Sequence, residues 1–434
     1  MTGGWAAGSV EAVFREERGR LLATLVRRFG DLDLAEEVAS DAVAAALEHW
    51  PRDGVPERPG AWLLTAARHR AVDLLRRDRR HAQRLALLAV ETARAGPVAP
   101  PGEGDADDVP DERLRLFFTC CHPALPPQAQ TALTLRCLAG LSTPEVARAL
   151  LLPHATAAQR IVRAKKKIRE ARIPFRVPEA DELPRRLPGV LRVVYLLFTE
   201  GYAASSGADL VRADLCAEAL RLGRILHRLL PAEPEVAGLL ALMLLVDARR
   251  AARVDTRGDL VLLDDQDRSR WDAAAVVEGR ALVVAALPGR GPYALQAAIA
   301  ALHCDAADVA TTDWPQIVAL YDVLARVAPS PLVALNRAVA LALRDGPEAG
   351  LAALDALAGD RVLRRYHLLP AARADLLRRL GRRDEAAAAY RAALELVGND
   401  PERTFLERRL AEVTAPRTPA PPAGRAASPA PGAG

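Results

Sequence analysis

The chain has 434 residues, 50% apolar, 26% charged and only 4% aromatic, with a formal net charge of +4. This composition gives about three domains their own cores and favours helix over sheet, so the expected fold is all-α. Five cysteines do not make a disulfide framework, the apolar run from Val236 to Val246 is too short to cross a bilayer, and Met1 to Val10 lacks the pattern of a secretory signal. A cytoplasmic protein with no membrane partner is the expectation.

In chain order, residues 11–29 and 32–49 read as amphipathic helices, and Pro51 to Gly60 is a break. A third helix is predicted over Ala61 to Arg84. Residues 85–110 are expected to form an acidic flexible linker, its Pro/Gly-rich acidic stretch lying over 96–112. A second helical block runs over 111–173, and Pro174 and Pro178 mark its end. A long neutral helical extension follows over 174–328, then repeat-like helices over 329–413, and a Pro/Gly-rich tail over 414–434.

The repeat signal lies in two helical pairs. Ala334 to Leu343, Gly346 and Ala349 to Leu357 form one; a helix ending at Leu380-Gly381 and the stretch Asp384 to Leu396 form the other. The turn glycines are 35 residues apart, and Ala386, Tyr390 and Ala393 occupy the small and aromatic positions of a tetratricopeptide-like unit, although Gly398 stands where proline is usual. Generic helical hairpins are the competing reading.

Charge is unevenly placed. Residues 11–60 sum to −4, residues 62–84 to +5 and residues 154–172 to +6, while residues 96–112 hold six acidic groups and no base. Two basic helices separated by an acidic strip fit two nucleic-acid contacts on one chain.

A helical wheel over Trp62 to Arg80 puts Leu64, Ala67, Ala71, Leu74 and Leu75 toward a core. Trp62, His69, Asp73, Arg76 and Arg80 fall on the opposite face, flanked by Arg70 and Arg77. A tryptophan among arginines suits stacking on an unpaired base. The alternative packs Trp62 under the 51–60 loop and leaves the arginines solvated.

In the second basic helix, Ala155 to Glu170, the buried stripe is Ala157, Ile161, Ala164 and Ile168. Thr156, Arg160, Arg163 and Lys167 lie together beside it, flanked by Gln159 and Lys166. Ser142-Thr143-Pro144-Glu145 reads as a capping box opening a short helix just upstream. Two helices joined by a short turn, the second basic, describe a helix-turn-helix whose second helix reads base edges through Gln159, Arg160 and Arg163. A charged helix in an ordinary bundle is the alternative.

Other clusters carry less. Cys120, Cys121, His122 and Cys137 lack the spacing of zinc pairs and read as packing. Asp264, Asp265 and Asp267 lack the glycine and twelfth-position glutamate of a calcium loop and read as a capped loop. No phosphate-cradling loop or nucleophile elbow is present. The expectation is therefore no metal, no cofactor and no catalytic residue.

Taken together, these segments resemble bacterial sigma factors of the extracytoplasmic-function class within the sigma-70 family. Residues 11–84 resemble region 2, a helical bundle, and residues 111–173 resemble a type-2 region 4. Asp31 to Ala42 is similar to the helix that grips the β′ clamp helices of RNA polymerase core, with Asp33, Glu36, Glu37, Ser40 and Asp41 on the implied contact face. Arg58 to Arg77 is similar to the helix that melts and reads the −10 element. Gly140 to Ala147 and Thr156 to Lys166 are similar to the −35-reading unit. Ser40 replaces a common Gln, Ala157-Ala158 replaces a common Val-Lys, and the turn Leu151 to Ala155 lacks the usual glycines. The remainder, with Phe118 to Pro123 and Leu263 to Trp271, is similar to a subgroup carrying a long tetratricopeptide-like extension.

The resemblance implies a specificity subunit, not an enzyme. Its partners are polymerase core, promoter DNA and a regulatory protein or peptide in the repeat groove, and its regulation runs through the extension. Promoter elements about 17 base pairs apart are separated by roughly 58 Å, and residues 91–111 span at most about 70 Å. The rival functions are a helix-turn-helix regulator with a tetratricopeptide-like sensor, which leaves the acidic helix unexplained, and a helical scaffold, which leaves both basic helices unexplained.

Overall fold

A computed structural model describes residues 3–89, 112–176, 178–179 and 182–415. Most of the predicted linker and tail, 90–111 and 416–434, lies outside the described residues.

Three helices form the N-terminal bundle: α1 (Gly3–Phe29), α2 (Leu32–Asp53) and α3 (Pro59–Ala89). Asp31 starts α2, its Oδ1 accepting from the backbone of Asp33 at 2.7 Å and Leu34 at 3.1 Å. Gly54, at φ +83°, closes α2 with a conformation that a side chain would strain. Each pair of these helices is packed together. The wheel expectation for α3 needs a correction of phase. Leu63, Ala67 and Ala71 are its buried stripe, Leu64 and Leu74 are half-buried, and Leu75 is exposed. Ala67 and Ala71 are buried as expected, but the stripe is rotated toward Leu63 and away from Leu75, on the side where the Trp62 ring meets Trp50 of α2.

The second block contains α4 (Glu112–Cys120), α5 (Pro127–Cys137), α6 (Thr143–Ala149) and α7 (His154–Glu170). The capping box is formed: Ser142 N donates to Glu145 Oε2 at 2.6 Å and Glu145 N to Ser142 Oγ at 3.4 Å. The turn from α6 to α7 places Leu151 at φ +53°, where glycine would sit without strain. Ala157, Ile161 and Ala164 are buried as expected, with Ile168 packed partly against them.

The extension is α8 (Leu183–Tyr202), α9 (Ala213–Leu229), α10 (Pro234–Asp247), α11 (Ala273–Ala286), α12 (Pro292–Asp305), α13 (Trp314–Val327), α14 (Pro331–Asp345), α15 (Pro347–Asp355), α16 (Leu368–Arg379), α17 (Arg383–Leu396) and α18 (Asp400–Thr414). From α12 onward each helix packs on the next, as in a helical array. The turn glycines Gly346 and Gly381 take φ +100° and +73°. Among the described residues there is no strand.

Two features tie the parts together. One apolar cluster runs without a break from Leu21 through Phe117 and Ile161 to Leu244, so the first ten helices share a core across the boundary expected at 174. At the far end the extension folds back: Asn399 donates to the Ala204 carbonyl at 2.9 Å, and Asp400 N to the Gly207 carbonyl at 3.0 Å. The unusual Gly398 is explained by this seam, since a Cβ there would stand 2.2 Å from the Ser205 carbonyl oxygen.

Candidate nucleic-acid interface

The cationic face of α7 is the clearest surface for nucleic acid. Gln159, Arg163, Lys166 and Lys167 are exposed, and Thr156 and Arg160 are half-exposed beside them. All six lie within about four helical turns on one side, because positions 156, 160, 163 and 167 recur at helical spacing. Lys166 makes only an i,i+4 pair with Glu170 at 3.6 Å, both ends well exposed, so its charge remains available to a phosphate. Val162, 64% exposed, lies at the edge of this face between Lys166 and Arg169. Its only signal in the sequence is a valine off the buried stripe.

The corresponding face of α3 is less open. His69, Asp73, Arg76 and Arg77 are exposed. The side chain of Arg80 lies outside the described residues. Arg70 is engaged, its Nε donating to Asp41 Oδ2 at 2.6 Å, and this bond raises the Arg70 pKa above its ordinary value. Trp62 is not the freestanding ring that the wheel implies. It is half-buried, with its ring centroid 5.6 Å from that of the buried Trp50 in an edge-on contact and 6.2 Å from that of His49.

The acidic face of α2 is partly occupied. Glu37 and Ser40 are exposed, Ser40 donating to the Glu36 carbonyl, while Asp41 holds Arg70. Glu36 points inward. Arg18 donates to it at 2.9 Å, Arg136 of α5 lies 3.9 Å away, and Lys165 of α7 is hydrogen-bonded to it. Asp33 meets Lys165 at 3.4 Å and Arg169 at 2.7 Å. Burial, with Arg136 nearby, lowers the pKa of Arg18 despite Glu36. Burial also acts to lower that of Lys165, but Glu36 and Asp33 outweigh it and the net shift is upward. Lys165 and Arg169 were not among the anticipated site residues. They flank the α7 wheel, and only their distant partners on α2 reveal their role.

The cysteine cluster is interior: Cys120, Cys121 and Cys137 are fully buried. Cys121 Sγ lies 3.8 Å from Thr134 Oγ1, and burial pushes its thiol up to about 12. In the aspartate loop, Asp264 and Asp265 are exposed and Asp267 caps a short 3-10 turn through Ser269 N. Arg268 stacks on Trp271 and donates to the carbonyls of His303 and Ala306, which fastens this loop to the end of α12.

A cleft of about 1090 Å³, partly open to solvent, lies where the extension meets the α6–α7 unit. Arg148 lines it from α6, Leu151 from the turn, Tyr195 and Glu200 from α8, Tyr293 from α12 and Glu402 from α18. Glu200 is 4% exposed and accepts from Ser205 N and Oγ, each at 3.1 Å; burial still raises its pKa to about 7. Among the described residues, no helix is long and apolar enough to cross a membrane.

Comparison with known proteins follows this geometry. Residues 13–81 match the family described as sigma-70 region 2, and residues 118–168 match sigma-70, region 4. Residues 186–287 match a family of unknown function (DUF6596). An uncharacterized protein of Rhizobium meliloti (strain 1021) is 43% identical over 425 residues, which cover 94% of this chain and 96% of that protein. That likeness spans both halves of the molecule.

Proposed function

This chain belongs to the sigma-70 family and has the role of an RNA polymerase sigma factor, and from that premise we propose how its residues divide the work. The protein is of the extracytoplasmic-function type, working in the cytoplasm. The α2 face, through Asp33, Glu36, Glu37, Ser40 and Asp41, takes the β′ clamp helices of core. The outer face of α3 takes the −10 strand: His69, Arg76 and Arg77 lie on or near its backbone, and Trp62 leans over the α2–α3 edge. The α7 face reads the −35 element through Thr156, Gln159, Arg160 and Arg163, with Lys166 and Lys167 on phosphates.

The observation that carries this reading is the exposed face of α7 behind a capped, turn-linked α6. Side chains within reach of a major groove stand there unburied on a helix whose other face is fixed in the core. The test is transcription in vitro with core enzyme on a promoter library. The full chain is expected to co-purify with core and to start RNA synthesis at a defined set of sites. Binding of DNA without core, and no initiation, would establish the alternative of an ordinary helix-turn-helix regulator.

The tetratricopeptide-like extension regulates this activity. Leu151 and Arg148 of the reading unit line the cleft beside the extension, which supports coupling between the two. A regulatory protein or peptide in that groove would act directly on the α6–α7 turn. Truncation near residue 180 is expected to change promoter output; unchanged output would make the extension an accessory scaffold.

A further inference from the structure

The carboxylates that the preceding reading gives to polymerase are already held by the DNA-reading block of the same chain. Lys165 spans Asp33 and Glu36, Arg169 holds the outer oxygen of Asp33, and Arg136 stands behind Glu36. The centre of this contact is sheltered, with the side chain of Glu36 12% exposed and that of Lys165 16% exposed. Beneath it, α1 packs on α4, and Leu21, Leu25, Leu116 and Phe117 belong to one apolar cluster. Residues 129 and 136 positions apart in sequence thus close an ionic clasp over a shared core.

This closed form cannot straddle a promoter. Lys165 and Arg169 tie α7 to Asp33 and Glu36, and Arg70 ties α3 to Asp41 of the same helix. Asp33 and Asp41 are only about 12 Å apart along α2 at roughly 1.5 Å per residue, so α3 and α7 are held to one short stretch of helix and cannot move apart to the roughly 58 Å between the two DNA elements. The same contact takes Glu36 out of reach of any outside partner. The outward face of α7 stays open, because Lys165 and Arg169 lie on its flank.

We propose that Lys165 and Arg169 are a latch, an internal cationic partner that occupies the core-binding face of α2 in the free chain, so that polymerase must displace α7 from Asp33 and Glu36 before the two DNA-reading helices can separate. The competition with polymerase rests on the sigma-factor reading; the latch itself does not.

The test uses the full chain with fluorophores introduced through Thr65→Cys on α3 and His154→Cys on α7. Both positions are exposed, whereas the native thiols are buried or half-buried. The free protein is expected to show one short inter-label distance. Lys165→Ala with Arg169→Ala should shift it to a longer one and tighten core binding about tenfold. Arg163→Ala, on the outward face, should leave the distance short, and circular dichroism of each variant controls for folding. A free chain already at the long distance, or a folded double variant with distance and core affinity both unchanged, overturns the latch. A distance that opens in the double variant without any core binding sustains the latch and removes the sigma-factor reading. Core binding by an already open chain does the reverse.

Discussion

The two halves of the molecule differ in where their ion pairs are sheltered. In the first, ion pairs join distant segments: Arg70 to Asp41, Lys165 to Glu36, Arg169 to Asp33. In the extension many are local, such as Arg221–Glu218, Arg378–Asp375, Arg382–Glu385 and Arg409–Glu412, each spaced i,i+3. The extension is instead shaped by close backbone approach, with Gly398 against Ser205 and Gly350 against Ala342. The extension also pairs charges between helices, as in Arg224–Glu278 and Arg373–Asp355, but these are well exposed, whereas Glu36 with Lys165 is sheltered.

The sharpest way to break this contrast is charge reversal at Arg163 and Lys166. DNA affinity should fall at least about 100-fold, and the dependence on salt should flatten by about two phosphate contacts, as read by fluorescence anisotropy across a salt series. The same reversal at Arg382 and Arg409 should leave DNA binding untouched.

Next comes Gly398→Val, which sets a side chain against the Ser205 carbonyl oxygen. A loss of about 3 kcal/mol in the unfolding of the extension is expected, with α18 amides losing hydrogen-exchange protection and α1–α3 amides keeping theirs. A uniform loss would show that the two halves unfold as one unit.

Glu200 gives a smaller, pH-dependent effect. Its pKa is raised to about 7 in the folded chain from an ordinary 4.5, so the native state holds a proton that the unfolded state has released between those values. Stability should accordingly fall as pH rises from about 4.5 to 7 and stay reduced above it. Glu200→Gln should raise stability at pH 8 by about 2 kcal/mol and flatten that decline, as followed by urea unfolding at several pH values.

Ser142→Ala removes half of the capping box and should cost about 1 kcal/mol, visible in the melting of the first ten helices. Arg382→Ala, at an exposed local pair, should leave the melting temperature within experimental error.

What could be read in the sequence was whatever is decided within a few residues. The capping box at Ser142 and Glu145, the helix over 32–49, the turn glycines Gly346 and Gly381 and the buried stripe of α7 all depend on neighbours one or two turns away; the break expected to start at Pro51 starts later, since α2 continues through it to Asp53. What could not be read depends on residues far along the chain. The α3 wheel, drawn in isolation, put Leu75 inside and Trp62 outside. The contact of Trp62 with Trp50 of another helix, which partly buries it, was invisible to that wheel. Glu36 looked like an outward acid because nothing nearby marks Lys165 as its partner. Gly398 stood out as a missing proline, but its cause is a carbonyl nearly two hundred positions earlier. Six residues of α7 formed a legible candidate face; Val162, Lys165 and Arg169 were missed because an isolated wheel cannot distinguish its solvent side from its docked flank.

The seam between Asn399 and Ala204 also bears on how the protein is made. Its two sides are 195 positions apart, so the loop after α8 leaves the ribosome long before its partner exists. Contacts of such separation form late, since closing a long stretch of chain costs entropy before any bond is gained. A nascent chain interrupted between α10 and α18 would hold the complete shared core of the first ten helices with this seam still open, and chaperones or proteases could distinguish it from the full product by that gap.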